Sequence, residues 1–372
     1  MKVGFHVDQL WFSAPGGIGT YVWELLPALS SAAPEVDFVA FRSRWGHAPT
    51  RMWTLASPPV ASKRSIKMLY PAWDLLGWPP LPPALSSCDV IHATNHAAIP
   101  PARAGQKLVV TVHDLAFERF PEAFPRAWLT LYRIGVRAAV RRADAILTPS
   151  QATADDLATY AVADPSKLHV VPLAAALSST REPTEGVLER LGVRGPFILC
   201  PSTIEPRKNQ ARLIRAYRKV AVDHPHALVL AGPDGWKHDD VDAEIAAGGP
   251  GRVVRTGRLD DDDIDALYRA ADVVAYPSLC EGFGLPVIEA MARGVPVVAS
   301  TTPAVAETAG DAALLVDPLD VDALAVALER VLIDEPLARD LRTMGLERAA
   351  SFSWSAAARG TLAVYRTVTG AT

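Results

Sequence analysis

Glu281-Gly282-Phe283-Gly284-Leu285-Pro286-Val287-Ile288-Glu289 sets two carboxylates eight positions apart around a Gly-x-Gly turn. Upstream, Val273-Val274-Ala275-Tyr276-Pro277 reads as a buried strand, and Pro286 suits a first helical turn, where a missing N–H costs nothing. The stretch is therefore strand, turn, helix. Gly282 and Gly284 let backbone N–H groups come close to a ligand, and a helix opening near Leu285 turns its positive end toward phosphate. Glu281 then lies in the loop mouth and Glu289 about one turn inside the helix, so the pair could hold different parts of one extended ligand. Taken singly, each Glu reads as an ordinary helix charge. Taken together they do not, because Glu289 is set among Val287, Ile288, Ala290 and Met291 ahead of the apolar run Val295–Ala299. A carboxylate in such surroundings needs a partner.

Working outward, apolar runs alternate with amphipathic stretches along the whole chain, the pattern of a doubly wound α/β protein with parallel sheets. Strands are expected at Lys2–Val7, Asp37–Phe41, Val90–Ala93, Leu108–His113, Ala145–Pro149 and Leu168–Val171. The pattern breaks between Ala174 and Arg194, at Ser178-Ser179-Thr180 and Pro183, and a short helix resumes over Glu185–Leu191. It then restarts with strands at Phe197–Ser202, Ala227–Gly232, Val253–Thr256, Val273–Tyr276, Val297–Ser300 and Ala313–Val316. Two Rossmann-like domains are expected, 1–175 and 176–354, with an amphipathic tail after Phe352-Ser353-Trp354 over 355–372.

The 372 residues suffice for two cores. Hydrophobic content is 49% and mean hydropathy +0.13, yet no run approaches the ~20 apolar residues of a membrane helix. Met1–Asp8 reads as a strand, too soon broken for a secretory signal, so a cytoplasmic location is expected. Cys88, Cys200 and Cys280 are far apart and at strand edges, which supports neither a disulfide frame nor a zinc site. Only 8 of 37 basic residues are Lys, which with the Ala-rich composition points to a GC-rich bacterial genome. Net charge is −4, and no nucleic-acid partner is expected. Between Asp37 and Asp74 there is no acid, while Arg42, Arg44, Arg51, Lys63, Arg64 and Lys67 are interleaved with Trp45, Met52, Trp53, Met68, Tyr70 and Trp73.

Three further segments carry candidate chemistry. Pro15-Gly16-Gly17-Ile18-Gly19-Thr20-Tyr21 joins the first strand to a helix; it has the shape of a phosphate cradle and, by itself, equally that of a plain loop. His113 closes the strand Leu108–Val112, and ligands of open α/β sheets gather at strand carboxyl ends; a nearby Asp114 is placed to orient its ring. After Phe197–Pro201, the run Ser202-Thr203-Ile204-Glu205-Pro206-Arg207-Lys208-Asn209-Gln210 opens a helix with cations, which oppose the helix dipole and so imply an anion. The fork of Arg207 and the point charge of Lys208 suit a diphosphate. Asp260–Asp263 reads as helix capping rather than a metal site.

The Glu-x7-Glu pair Glu281 and Glu289, with the Gly294-Val295-Pro296-Val297-Val298 strand behind it, resembles the signature of the family 4 retaining glycosyltransferases. The resemblance spans nearly the whole chain. It implies two Rossmann-like domains facing across a cleft (GT-B), with the tail crossing back onto the first. It puts Glu281 on the donor sugar and Glu289 on the nucleotide ribose, with Gly282, Phe283, Gly284 and Leu285 lining the donor. Gly16 and Gly17 would lie against the donor phosphates and the acceptor, His113 would approach the donor sugar, and Arg207 and Lys208 would neutralise the pyrophosphate without a metal or other cofactor. Many members carry Gly where this chain has Asn209, and Arg where it has Thr203.

The expected activity is transfer of a hexose from a nucleoside diphosphate sugar to an alcohol acceptor, a sugar or lipid-linked molecule of the cell envelope. The Glu-Pro-Arg-Lys-Asn variant resembles mannosyltransferases, which makes GDP-mannose the preferred donor. A nucleotide-sugar epimerase of similar architecture and a non-catalytic sugar-nucleotide-binding protein are the alternatives. For the acid-free stretch the two readings are peripheral docking on the inner face of an anionic membrane and a solvated loop with a few buried aromatics.

Overall fold

The structure, a computed structural model, describes residues 1–49, 57–176 and 186–371. Arg51, Met52, Trp53 and the Ser178–Pro183 break lie outside the described residues.

The chain forms two compact units. The first comprises Met1–Glu118, Phe124–Leu173 and Ser353–Thr372. Its sheet contains β1 (Lys2–His6), β2 (Asp37–Arg44), β3 (Val60–Ser65), β4 (Val90–Ala93), β5 (Lys107–Thr111), β6 (Ala145–Thr148) and β7 (Leu168–Val170). The order is β3-β2-β1-β4-β5-β6-β7 and every pairing is parallel. Parallel strands covered on both faces read as continuous apolar runs, and Val3, Phe5, Val90, Ile91, Val109, Val110 and Ile146 are accordingly buried. The Gly16–Ala32 helix packs on the Trp354–Thr369 helix, and the Ile66–Leu76 helix packs on the Arg126–Arg142 helix.

The second unit comprises Arg119–Ala123 and Ala174–Phe352. Its sheet contains β8 (Phe197–Pro201), β9 (Ala227–Ala231), β10 (Val253–Gly257), β11 (Val273–Tyr276), β12 (Val297–Ser300) and β13 (Leu314–Val316), in the order β10-β9-β8-β11-β12-β13, again all parallel. Leu213, Ile214 and Tyr217 of the Gln210–Val220 helix and Leu324 and Leu328 of the Val321–Ile333 helix share one core with Ile198, Leu228 and Val298. The short segment Arg119–Ala123 belongs here because Trp236 Nε1 donates to the Ala123 carbonyl at 2.6 Å and Lys237 Nζ to that of Glu122 at 2.5 Å.

All the expected strands are present. One more, β3, carries Lys63 and Arg64 on a largely exposed edge, and so lacks the apolar run that marked the others. In each sheet the strand order reverses once, between β1 and β4 and between β8 and β11. The crevice at the carboxyl ends of such a pair is where ligands of open α/β sheets bind.

Candidate active site

In the second unit the cations and one carboxylate meet at the β8/β11 reversal. Beyond β8 the chain makes a 3-10 turn, Pro206–Lys208, then passes through Asn209 at φ 63° into the Gln210–Val220 helix. That left-handed conformation is open to Gly and, among residues with side chains, most readily to Asn. Asn209 thus takes a backbone path that Gly would also allow, and its amide donates to the Pro277 and Pro318 carbonyls at 3.0 and 2.7 Å.

Beyond β11 the chain delivers Tyr276, Ser278 and Glu281 to the same place. Glu281 Oε1 accepts from Lys208 Nζ at 2.5 Å, Tyr276 OH at 2.7 Å and Ser278 Oγ at 2.5 Å, and its Oε2 accepts from an Arg207 terminal nitrogen at 3.0 Å. Burial alone would raise the Glu281 pKa; the charges of Lys208 and Arg207 and the donated hydrogen bonds outweigh it and bring it down to about 2. Tyr276, buried beside that carboxylate, is held well above its ordinary value. On the other side of Arg207, Nε lies 2.6 Å from Oε1 of the buried Glu205. Two cations and two carboxylates therefore neutralise one another out of water, and loss of any one leaves an uncompensated buried charge.

Glu289 stands apart from this cluster. Half-buried in the Leu285–Met291 helix, it accepts from Tyr268 OH at 2.9 Å. The helix end is tied down by Arg293, which bonds Asp265 Oδ1 at 2.7 Å and the Glu289 carbonyl at 3.0 Å. Between the two glutamates, Gly284 is left-handed at φ 101°. Gly282 and Leu285 are buried, while Phe283 packs edge-on to Phe352 at 5.5 Å and accepts through its carbonyl from Thr308 at 2.6 Å. The Phe283 side chain and carbonyl hold the loop. Asp260 accepts from Asp263 N at 2.9 Å as a helix cap, and Asp263 pairs with Arg190 at 2.6 Å.

In the first unit, Gly16 at φ 57° and Gly17 open the Gly16–Ala32 helix and are exposed. The first N–H groups of a helix lack intrahelical acceptors. The loop is anchored by Gln9 Nε2, which donates to the Pro15 carbonyl at 2.8 Å. His113 packs edge-on to Tyr21 of the same helix, with ring centroids 4.8 Å apart. Its Nε2 donates to the Thr94 carbonyl at 2.9 Å, which leaves the lone pair on Nδ1. Burial lowers its pKa, so the ring is neutral near pH 7. Asp114 does not orient it, contrary to expectation: its carboxylate accepts from Ala116 N at 3.0 Å, and the Thr94 carbonyl fixes the ring instead.

Glu205, Tyr268, Tyr276 and Ser278 were not anticipated. Tyr276 and Ser278 could have been, since they close a parallel strand as His113 does. Nothing in local sequence pairs Tyr268 with Glu289 or turns Glu205 inward.

A family model described as Glycosyl transferases group 1 matches residues 189–348, and one described as Glycosyltransferase Family 4 matches residues 15–178. The chain is 32% identical to O-antigen chain mannosyltransferase B of Escherichia coli over 270 residues, 70% of either chain. It is 35% identical to the MMP alpha-(1->4)-mannosyltransferase of Mycolicibacterium hassiacum over 301 residues, 74% of this chain and 70% of that one. The crystal structure of Anabaena HepE in complex with UDP and glucose superposes with a TM-score of 0.75 at 22% identity, covering 99% of this chain and 100% of the other, so the fold is that of the GT-B glycosyltransferases. With this identity sustained across both Rossmann-like units, the protein belongs to glycosyltransferase family 4 and is a glycosyltransferase similar to the mannosyltransferases.

Proposed function

We propose that the enzyme transfers mannose, with retention of configuration, from a nucleoside diphosphate sugar, GDP-mannose preferred, to an alcohol on a lipid-linked glycan of the bacterial cell envelope, at the cytoplasmic side. The observation that carries this is the meeting of Arg207, Lys208 and Glu281 at the β8/β11 reversal. A diphosphate placed against Arg207 and Lys208 would gain two fixed positive charges. Glu281 holds those charges in place and stays ionised at any working pH. As the bond from the sugar's anomeric carbon to the diphosphate oxygen breaks, negative charge grows on that oxygen, and preorganised cations stabilise this state more than the ground state. The acceptor oxygen forms the new bond on the same face, and its proton passes to the departing phosphate oxygen. Arg207 and Lys208 thus do the work a divalent cation would otherwise do. Glu289, steadied by Tyr268, receives the ribose hydroxyls. In the first unit, neutral His113 and the N–H groups of Gly16 and Gly17 offer polar groups suited to a sugar and a phosphate. The mannose and envelope assignments are supported by what the relatives are named for, and the nucleotide sugar by the UDP bound to HepE.

Incubation with GDP-mannose or UDP-glucose, with and without a polyprenyl diphosphate-linked oligosaccharide, tests this. Acceptor-dependent GDP release that persists in EDTA, with an α-linked product by NMR, is expected. Activity lost on chelation and restored by magnesium or manganese overturns the metal-free mechanism, and a changed sugar nucleotide without acceptor overturns transfer.

A further inference from the structure

The Ile66–Leu76 helix is apolar on two faces where one would suffice for folding. Leu69 and Trp73, each 1% exposed, point into the first unit. On the outer side Met68 is 61% exposed, Leu75 59% and Leu76 74%, and Trp78 just beyond the helix is 57% exposed. Exposed apolar groups collected on one element mark a contact surface. Among the described residues of β3 and of the Ile66–Leu76 and Arg126–Arg142 helices, the exposed charges have one sign. Lys63 and Arg64 on β3 and Lys67 on the helix are exposed, and the Arg64 guanidinium lies over the Trp78 ring at 5.3 Å, which makes cation and apolar tip one patch. The Arg126–Arg142 helix alongside carries no acid; its Arg142 donates to the Trp73 carbonyl at 2.6 Å, and exposed Arg141 adjoins it. The acid of the Ile66–Leu76 helix, Asp74, is buried and accepts from Ile99 N at 2.7 Å.

We propose that this face docks on an anionic lipid bilayer, with Met68, Leu75, Leu76 and Trp78 entering at headgroup level and Lys63, Arg64, Lys67 and Arg141 against the lipid phosphates. A rim of cations around apolar side chains complements such a surface. A second copy of the chain does not fit, because a two-fold contact would set the same cations against each other. The aromatic of this face is Trp78; of those the sequence suggested, Trp53 lies outside the described residues and the other three are engaged elsewhere. Tyr70 and Trp73 are core residues, and Trp45 donates to the buried Asp8 at 2.8 Å.

The proposal rests on the transfer reading only for its purpose, access to a lipid-linked acceptor, and its test needs no turnover. Flotation with phosphatidylcholine vesicles, with and without phosphatidylglycerol, is run at low and high salt. Wild type is expected to float only with the anionic vesicles and to be released by salt. The triple variants Met68→Ser/Leu75→Ser/Leu76→Ser and Lys63→Gln/Arg64→Gln/Lys67→Gln alter exposed positions alone, and each is expected to lower the bound fraction ~10-fold or more at unchanged melting temperature. Wild type remaining with the soluble fraction on anionic vesicles, or triple variants that bind as well as wild type, overturns the proposal. So does a dimer in sedimentation that the Ser variant dissolves.

Discussion

At the residue scale, the roles of the two glutamates separate by their partners. Glu281 is committed to Lys208, Arg207, Tyr276 and Ser278, whereas Glu289 is steadied by Tyr268. Glu289→Gln is expected to weaken binding of free nucleoside diphosphate by about tenfold, the scale of one lost charged hydrogen bond. Glu281→Gln should act mainly on kcat and also lower the melting temperature, because it removes the carboxylate that holds the two cations at the reacting centre. Calorimetry with GDP beside steady-state kinetics decides between these outcomes, and unchanged GDP affinity in the Glu289 variant removes the ribose assignment. Arg207→Ala or Lys208→Ala should slow the chemical step by roughly 10²-fold or more, read in single turnover. The melting temperature should fall too, since the carboxylate left behind is buried.

At the scale of elements, close packing overrides local preference in the Arg126–Arg142 helix. Replacing a mid-helix Gly by Ala ordinarily stabilises by ~1 kcal/mol. At Gly135 a Cβ would lie 2.0 Å from the His96 carbonyl oxygen, a contact with backbone that cannot rotate away. Overpacking of this kind costs ~1–3 kcal/mol or more, so Gly135→Ala is expected to lower the melting temperature by several degrees despite its better propensity. A rise in thermal scans would show that the helix can shift off the β4 loop.

At the scale of the molecule, the chain's last helix completes the first unit. Tyr365, fully buried, has its OH 2.6 Å from His92 Nδ1, and His92 Nε2 lies 2.8 Å from Thr111 Oγ1, which is in turn 2.8 Å from Tyr21 OH. Burial lowers the His92 pKa to about 3 and that of His96 to about 4, and lowers that of His113 as well. Unfolded histidine takes up a proton near pH 6.5 and these folded ones do not, so the stability they carry is whole above pH 6.5 and is lost as pH falls toward 4. His92 alone accounts for on the order of 4 kcal/mol across that range. Asp74, raised by burial to about 7, works the other way, gaining stability as pH falls from 7 to its unfolded value near 4. Three groups against one leave a net loss. Among the described residues, seven of the eight Trp fall in the first unit, Trp236 being the exception. Tryptophan fluorescence melts should therefore move to lower temperature between pH 7 and pH 5, and a flat profile would mean that the histidines are not held neutral.

The alternation of apolar runs with amphipathic segments was enough to read two doubly wound units, because strands buried on both faces must be apolar whatever they pack against. Glycines at turns and cations at a helix start were legible for a like reason: each breaks a local rule and so calls for a ligand or a partner. β3 was not legible, because an exposed edge strand bearing Lys63 and Arg64 is under no such constraint. Nor were the partners. That Arg207 and Lys208 spend their charge on Glu281 and that Thr94 rather than Asp114 fixes His113 follow from which strand ends the sheet order brings together; that Met68, Leu75 and Leu76 face solvent while Tyr70 and Trp73 do not follows from how their helix packs on the unit. Residues 73 and 74 positions apart meet only through that order, and it is tertiary structure that supplies it.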